Sequence, residues 1–140
     1  MNPRTPNEFM KHATKYIQSK GVCNLELKED KDAFGNPLET ELSRIYTDKE
    51  IINKKTNSLK DDFPSSKDYG ISSETPPYPG AINDIVDFEN ILCFGTSGDG
   101  SPFCFDFRQD PPSVIWWDDD HWRKLANNFK DFIELFKHSQ

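Results

Sequence analysis

The sequence predicts an α+β fold: a single domain over residues 1–140 in which an antiparallel sheet of about four to six strands packs against N- and C-terminal helices. Two observations support this prediction. Residues 91–107 alternate like a β-hairpin around a cluster of turn residues, and apolar residues recur at helical spacing near both ends of the chain. A length of 140 residues is typical of one domain and sufficient to bury a hydrophobic core.

The predicted hairpin is the centre of this fold. Its second half places Phe103, Phe105 and Phe107 on one face, with the intervening side chains on the other, which is the period of a strand. An apolar run at residues 91–94 precedes it. The residues between the two runs, 96–101, are Thr, Ser, Gly and Asp, which are typical of a turn.

Two positions of the turn are compatible with the hairpin. A two-residue turn at 98–99 gives these cross-strand pairs: Leu92 with Phe105, and Phe94 with Phe103. A turn at 99–100 slips the pairing by two residues and preserves the two faces, because side chains of a strand alternate with period two.

Three further strands are predicted around the hairpin. Residues 114–117 form the third strand of a meander, and residues 22–27 form a short edge strand. For residues 122–126 two alternatives are open, a last strand or the beginning of the C-terminal helix. Because neighbouring side chains of a strand point to opposite faces, at least one of Trp116 and Trp117 is expected in the core.

Three helices are also predicted. The first runs from a capping box at residues 5–8 to Gly21, and the second begins with the capping box Thr47–Glu50. The third begins at Asn128, and helical spacing near the C-terminus involves Leu125, Phe129, Phe132, Ile133 and Phe136. The proline-rich segment 64–80 between the second helix and the hairpin is expected to be irregular.

The composition limits the functional classes. A net charge of −7 argues against direct binding of nucleic acid and suits either a basic partner or simply a soluble protein. No apolar stretch approaches 18 residues and no signal peptide is visible, so we expect a soluble cytoplasmic protein that does not contact membranes. We expect it to be a monomer or a weak dimer. Cys23, Cys93 and Cys104 lack zinc-ligand spacing, and the last two are expected to face each other in the hairpin as buried thiols. No cofactor is expected.

The acidic run Asp118–Asp120 is the sharpest candidate for chemistry. Three interpretations are open: an acidic turn, a protein-facing patch, or the metal site of a small metal-dependent hydrolase. Adjacent side chains point in different directions and rarely converge on one ion, so an acidic turn is favoured and no metal site is predicted. No Gly-x-Ser-x-Gly elbow and no cysteine beside a motif histidine is present, so we predict no catalytic residues and no enzyme.

Several short motifs match the pattern of a known family. Residues 76–80 (Pro-Pro-Tyr-Pro-Gly), the Phe-Asp pair 105–106 and residues 126–133 match its second half. Residues 50–69, which include Phe63-Pro64 and Tyr69, resemble the family's helix followed by an "L-P-x-x-Y" segment. On these motifs the chain resembles the SUKH superfamily, most strongly over residues 47–136. The family usually continues with a further helix and an "N-G-G" turn, which this chain lacks, so its middle is expected to be shortened or rebuilt.

The resemblance implies the same α+β architecture and a protein partner. The SUKH superfamily includes bacterial immunity proteins and fungal cell-wall assembly regulators of the Smi/Knr type. The resemblance therefore implies an immunity protein that binds and neutralises a cognate secreted or contact-dependent toxin, often a nuclease. A regulatory scaffold of the fungal type is the alternative within the family. The acidic balance fits a nuclease partner, because the substrate groove of a nuclease is basic.

The partner-facing surface is predicted from charge and aromaticity. Acidic side chains on loops meet a basic groove, and aromatic side chains supply most of the binding energy. The predicted partner-binding residues are Tyr78, Asp99, Trp117, Asp118, Asp119 and Asp120.

Overall fold

The computed structural model of the chain describes residues 22–46, 48–59, 85, 88–98, 100–108, 112–118 and 121–137. The predicted N-terminal helix and the predicted irregular segment 64–80 lie outside these residues.

An antiparallel meander forms the framework of the described part of the chain. Its elements, in chain order, are β1 (Val22–Glu26), β2 (Glu41–Ile45), α1 (Lys49–Asn57), β3 (Ile91–Thr96), β4 (Pro102–Asp106), β5 (Ser113–Asp118), β6 (His121–Ala126) and α2 (Phe129–Ile133). Each strand pairs with the next one, so the sheet order is β1-β2-β3-β4-β5-β6. The antiparallel sheet of an α+β protein is therefore confirmed, and β1 is an edge strand of it, as predicted.

The sheet curls until its two ends approach each other. The backbone N–H of Lys28, just after β1, donates to the carbonyl of Leu135 at 2.8 Å, and that of Lys137 donates to Glu26 at 2.7 Å. The β1–β2 loop also reaches β6, where the Ala33 N–H donates to the Leu125 carbonyl at 3.0 Å. The end of β1 is thus hydrogen-bonded to the segment after α2, and the core is enclosed.

The predicted hairpin is confirmed as β3 and β4. Leu92 lies opposite Phe105, one of the pairs that the sequence predicted, and Cys93 lies opposite Cys104. Phe105 and Phe103 are fully buried. The register then shifts between Cys93 and Gly95, so that Phe103 faces Gly95 and not Phe94.

The turn of the hairpin differs from both predicted two-residue turns. The Ser97 N–H donates to the Ser101 carbonyl at 2.9 Å, and the Gly100 N–H donates to the Ser97 carbonyl at 3.0 Å. Gly100 has a φ of 92°, a conformation that glycine adopts without steric cost. The connection is one residue longer than predicted, and the register shift within β3 absorbs the extra residue.

Hydrophobic clusters cover both faces of the sheet. The larger cluster centres on Phe94, whose ring stacks on Phe105 at a centroid distance of 4.4 Å and meets Phe132 edge-on at 5.7 Å. The smaller cluster contains Leu59, Ile85, Ile91, Cys93, Cys104, Ile115, Trp117 and Trp122. Trp116 belongs to the larger cluster and Trp117 to the smaller one, so both are buried, on opposite faces.

The two helices begin at well-defined caps. The predicted second helix is α1, but its cap is Asp48 and not Thr47: the Asp48 carboxylate accepts from the backbone N–H groups of Glu50 at 2.8 Å and Ile51 at 3.3 Å. A carboxylate there satisfies two donors that lack helical partners. Asn128 caps α2 as predicted, accepting from the Asp131 N–H at 2.8 Å. Residues 122–126 form β6, so the strand alternative for them is confirmed.

A buried ion pair connects the β1–β2 loop to β6. The Asp32 carboxylate accepts from Arg123 Nη2 at 2.7 Å, and the two side chains are 0% and 8% exposed. Its other oxygen accepts from the backbone N–H groups of Phe34 and Asn36 at 2.8 and 3.1 Å. Asp32 therefore fixes both the shape of its loop and the position of that loop on the sheet.

Candidate functional site

The strand register brings two acidic connections to the same end of the sheet. Because Phe103 lies opposite Trp116 in an antiparallel pair, the start of β4 and the end of β5 share one end. The β3–β4 connection and the β5–β6 connection therefore lie at the same end of the sheet. β2 begins and β1 ends at this same end, since Glu41 pairs with Glu26. We call this the acidic end, defined by the connections 97–101 and 118–121 and by residues 26 and 39–41.

A cavity of about 350 Å³ opens at the acidic end. It is lined by Glu26, Glu39, Thr40, Glu41, Ser97, Gly98 and Trp116. These residues come from the end of β1, the segment entering β2, the β3–β4 connection and β5. Segments that are distant in the chain thus meet in a small concave surface that carries three carboxylates and one indole.

Glu41 and Gly98 are in close contact at the wall of this cavity. A Cβ atom placed on Gly98 would overlap the Glu41 carboxylate. The hairpin turn therefore passes directly under an acidic side chain, and the absence of a side chain at position 98 gives that carboxylate its place. A second close approach occurs nearby, where a Cβ on Gly95 would lie 2.5 Å from the Arg44 carbonyl oxygen.

The residues predicted to face a partner divide into three groups. Asp118 is the last residue of β5 and lies at the acidic end, opposite His121. Tyr78, Asp99, Asp119 and Asp120 lie outside the described residues, and their placement stays a prediction. Trp117 is 7% exposed and packs edge-on against Trp122 at a centroid distance of 5.5 Å, so its ring offers little surface to a partner in this structure.

Asp106, which the sequence presents as an isolated carboxylate among phenylalanines, has a structural partner. Its carboxylate accepts from Arg108 Nε at 2.9 Å and Nη2 at 2.9 Å, and also from the Arg108 backbone N–H at 3.0 Å. The Asp106 side chain is 1% exposed. A two-point guanidinium contact compensates the buried charge and holds the residues after β4 in place.

The cysteine pair of the hairpin is buried within the smaller cluster. Cys93 and Cys104 are free thiols with exposures of 1% and 0%. Burial raises the pKa of the Cys104 thiol well above its usual value, and the neighbouring Cys93 and Asp106 act in the same direction. The neutral thiol is therefore favoured at this position, and a neutral thiol is a poor nucleophile.

None of the helices in the described part of the chain is long and apolar enough to cross a membrane. No group of three or more His, Cys, Asp or Glu side chains in the same part of the chain is arranged to hold a metal ion.

Together, the curled antiparallel meander, the two capped helices and the acidic cavity define a small α+β domain with a negatively charged concave surface at one end of its sheet. The sequence model of the SMI1 / KNR4 family (SUKH-1) matches residues 8–135. The match covers most of the chain, and the protein belongs to this family, which confirms the resemblance seen in its motifs. No curated protein and no solved structure matches the chain.

The acidic cavity was missed at the sequence level. Glu39 and Glu41 stand in a short segment with no recognisable motif, and Trp116 follows about 75 residues later in an apolar run that indicates only a buried strand. Only the pairing of the six strands brings these residues together, so no local signal in the sequence points to the cavity.

Proposed function

We propose that this protein is an immunity protein that binds a toxin and blocks it, and that the toxin presents a basic surface to the acidic end of the sheet. Membership of the SMI1 / KNR4 family (SUKH-1) supports the first part, since the SUKH superfamily includes immunity proteins. Binding, and not catalysis, is the activity proposed.

The observation that best supports a basic partner surface is the clustering of carboxylates at one end of the sheet. Glu26, Glu39 and Glu41 line the cavity, and Asp118 ends β5 at the same end. In the sequence, Asp99 belongs to the β3–β4 connection and Asp119–Asp120 belong to the β5–β6 connection. Such a surface attracts a basic protein groove and repels nucleic acid.

A nuclease is the toxin class proposed. The groove of a nuclease carries Lys and Arg side chains that hold phosphates, and acidic side chains on a rigid sheet compete with phosphates for them. Because Glu26 and Glu41 lie in paired strands, little backbone ordering is needed there on binding, which favours tight association.

Co-expression tests this function directly. The toxin domain encoded beside the gene of this protein is expressed in a bacterial host with and without the protein, and growth and complex formation are measured. We expect growth to be restored and the two chains to co-purify. A toxin domain that still kills with this protein present, or a neighbouring gene without any toxin domain, would contradict the proposal. The Asp32→Asn variant disrupts the buried ion pair. It shows how far a loss of folding stability alone weakens protection against the toxin.

A further inference from the structure

Cys93 and Cys104 lie directly opposite each other on β3 and β4. Both belong to the smaller hydrophobic cluster, so their side chains lie on the same face of the sheet. A hydrogen bond between the two side chains is one cause of the raised pKa of Cys104, which shows that the sulfur atoms are neighbours. The fold thus holds two thiols together, and the proposed function uses neither of them.

The backbone hydrogen bonds identify the kind of cross-strand pair that the two cysteines form. Residues opposite each other in antiparallel strands alternate between pairs that exchange both N–H···O bonds and pairs that exchange none. The Cys93 N–H donates to the Thr56 hydroxyl oxygen of α1 at 2.9 Å, which lies away from β4. The Phe107 N–H donates to the Asn90 carbonyl at 2.8 Å, and this bonded pair lies three steps along the hairpin from the cysteines. Because bonded and non-bonded pairs alternate, Cys93 and Cys104 form a non-hydrogen-bonded pair.

A non-hydrogen-bonded pair brings two residues close enough for a disulfide bond. The Cα atoms of such a pair are about 4.5 Å apart, and the side chains approach more closely than in a bonded pair. Disulfide bonds join residues whose Cα atoms are about 4.4–6.8 Å apart. The Cys93 thiol donates to the Gly95 carbonyl at 3.6 Å, a weak contact whose loss on oxidation costs little. A disulfide therefore fits the existing backbone.

We propose that Cys93 and Cys104 are a site of reversible oxidation, at which a small-molecule disulfide such as oxidised glutathione converts the two thiols into an intramolecular disulfide bond. One cysteine thiolate attacks the oxidant, whose S–S bond breaks, and one thiolate leaves. The second cysteine thiolate attacks the protein sulfur of this mixed disulfide and expels the other half of the oxidant. The protein loses two electrons and two protons, and the oxidant is reduced to two thiols. The inference does not depend on the proposed function.

Burial controls when this reaction takes place. The two residues are 1% and 0% exposed, so an oxidant reaches neither sulfur while the fold is closed. The pKa of Cys104 is raised, and the thiolate is the reacting form. Oxidation therefore occurs while the chain folds or while the hairpin is locally open, and the buried disulfide is then protected from reductants in the same way. A reducing environment keeps the pair as thiols.

The disulfide would close a loop of 12 residues, 93–104, which contains the β3–β4 connection at the acidic end. Closing a loop of this length restricts the unfolded chain and raises the folding equilibrium constant by about a hundredfold, less the effect of any strain. By the same thermodynamic cycle, folding raises the ratio of disulfide to dithiol by an equal factor. Oxidation thus produces a more stable form of the same fold.

The experiment equilibrates the full chain in mixtures of reduced and oxidised glutathione, both in native buffer and in urea that unfolds the chain. The native samples are refolded from urea into each mixture, which gives the thiols access to the oxidant. Free thiols are then alkylated, and mass spectrometry of the peptides identifies the linked cysteines. We expect a disulfide between Cys93 and Cys104, with a ratio of disulfide to dithiol at least about tenfold higher in native buffer than in urea. A ratio that is no higher in native buffer would overturn the inference.

Cys23 provides an internal control. It lies in β1, which pairs with β2 and with neither strand of the hairpin. We expect it to take part in no disulfide within the chain, and the Cys104→Ala variant, which retains Cys23 and Cys93, should form none in native buffer. Disulfides that join Cys23 to a hairpin cysteine, or glutathione bound to both hairpin cysteines, would show that the fold does not pair Cys93 with Cys104.

Urea unfolding of the two forms gives an independent measurement. The urea midpoint of the disulfide form should be higher than that of the dithiol form, and reduction of the unfolded chain with dithiothreitol should restore the lower midpoint. A disulfide form with the same midpoint as the dithiol form, or a lower one, would contradict the inference, because the bond would then strain the fold as much as it restricts the unfolded chain.

Discussion

Truncation of Phe105 tests the packing of the hairpin against the helices. The ring is fully buried and lies 4.4 Å from Phe94 and 6.1 Å from Phe129 between ring centroids. Phe105→Ala removes the ring and leaves a cavity at the centre of the larger cluster. Such changes cost about 3–5 kcal/mol of unfolding free energy. Domains are typically stable by about 5–15 kcal/mol, so the variant should remain folded with a small margin.

A neighbouring residue provides the matched control. Phe107 is half-buried and touches the same cluster through Phe105, with ring centroids 6.1 Å apart. Phe107→Ala deletes the same atoms, and we expect a cost of about 1 kcal/mol because part of the ring is already in water.

Urea unfolding followed by tryptophan fluorescence measures both losses. The three tryptophans are buried, so their emission should shift to longer wavelengths on unfolding. The midpoint should fall while the slope with urea stays constant, which indicates a change in stability and not in the unfolded state. If Phe105→Ala costs no more than Phe107→Ala, the ring is not at the centre of the core and the described packing is incorrect.

Three further predictions concern the ion pair, the thiol and metals. Asp32→Asn should destabilise the fold by about 3–5 kcal/mol in the same urea assay, because it leaves Arg123 buried without its counter-charge; a loss below about 1 kcal/mol would contradict this. Since the pKa of Cys104 is raised in the folded state, the folded protein binds more protons than the unfolded chain above the ordinary thiol pKa. The unfolding free energy should therefore fall with rising pH in that range, and it should fall less steeply in the Cys104→Ala variant. Equal dependence on pH in the two proteins would show that the pKa of Cys104 is not raised by folding. Calorimetric titration with Zn²⁺, Mg²⁺ and Mn²⁺ should show no stoichiometric site of micromolar affinity or tighter, whereas a site that is lost in Asp119→Asn would overturn this prediction.

The hairpin and the split of the tryptophans were predictable because they depend on local patterns. Phe103 and Phe105 alternate with polar or small residues, and this period fixes the faces of β4 whatever the exact turn. Trp116 and Trp117 are adjacent, so a strand must send them to opposite faces. The register within β3 was not predictable, since it depends on the length of the connection and on the shift near Gly95.

No strand was predicted at β2 because its sequence lacks a clean alternation. Leu42 and Ile45 are its buried residues, three positions apart, with an exposed Arg44 between them. This spacing resembles a helix turn as much as a strand. The strand forms because both neighbours offer backbone partners, β1 through Leu25 and β3 through Gly95. Tertiary pairing therefore decides this element and not local propensity.

The helix caps show how closely related signals compete. Thr47 with Glu50 satisfies the capping-box pattern, but Asp48 is the residue whose carboxylate meets the free N–H groups. Both residue types are good caps, and an ionised carboxylate also interacts favourably with the positive end of the helix. The candidate site was not predictable from a local pattern either, because Glu41 and Trp116 come together only when the sheet curls. The same is true of the buried ion pair between Asp32 and Arg123.

The central claim is that the acidic end of the sheet meets a basic toxin surface. The most direct test is the association kinetics with the toxin domain that is encoded by the neighbouring gene. The measurement is stopped-flow binding at several salt concentrations, comparing the unchanged protein with the triple variant Asp118→Asn, Asp119→Asn, Asp120→Asn. The account predicts slower association and a weaker salt dependence in the variant, because charges at the rim of an interface mainly accelerate encounter and are screened by salt. An association rate and salt dependence that are both unchanged in the variant would show that the toxin binds another surface.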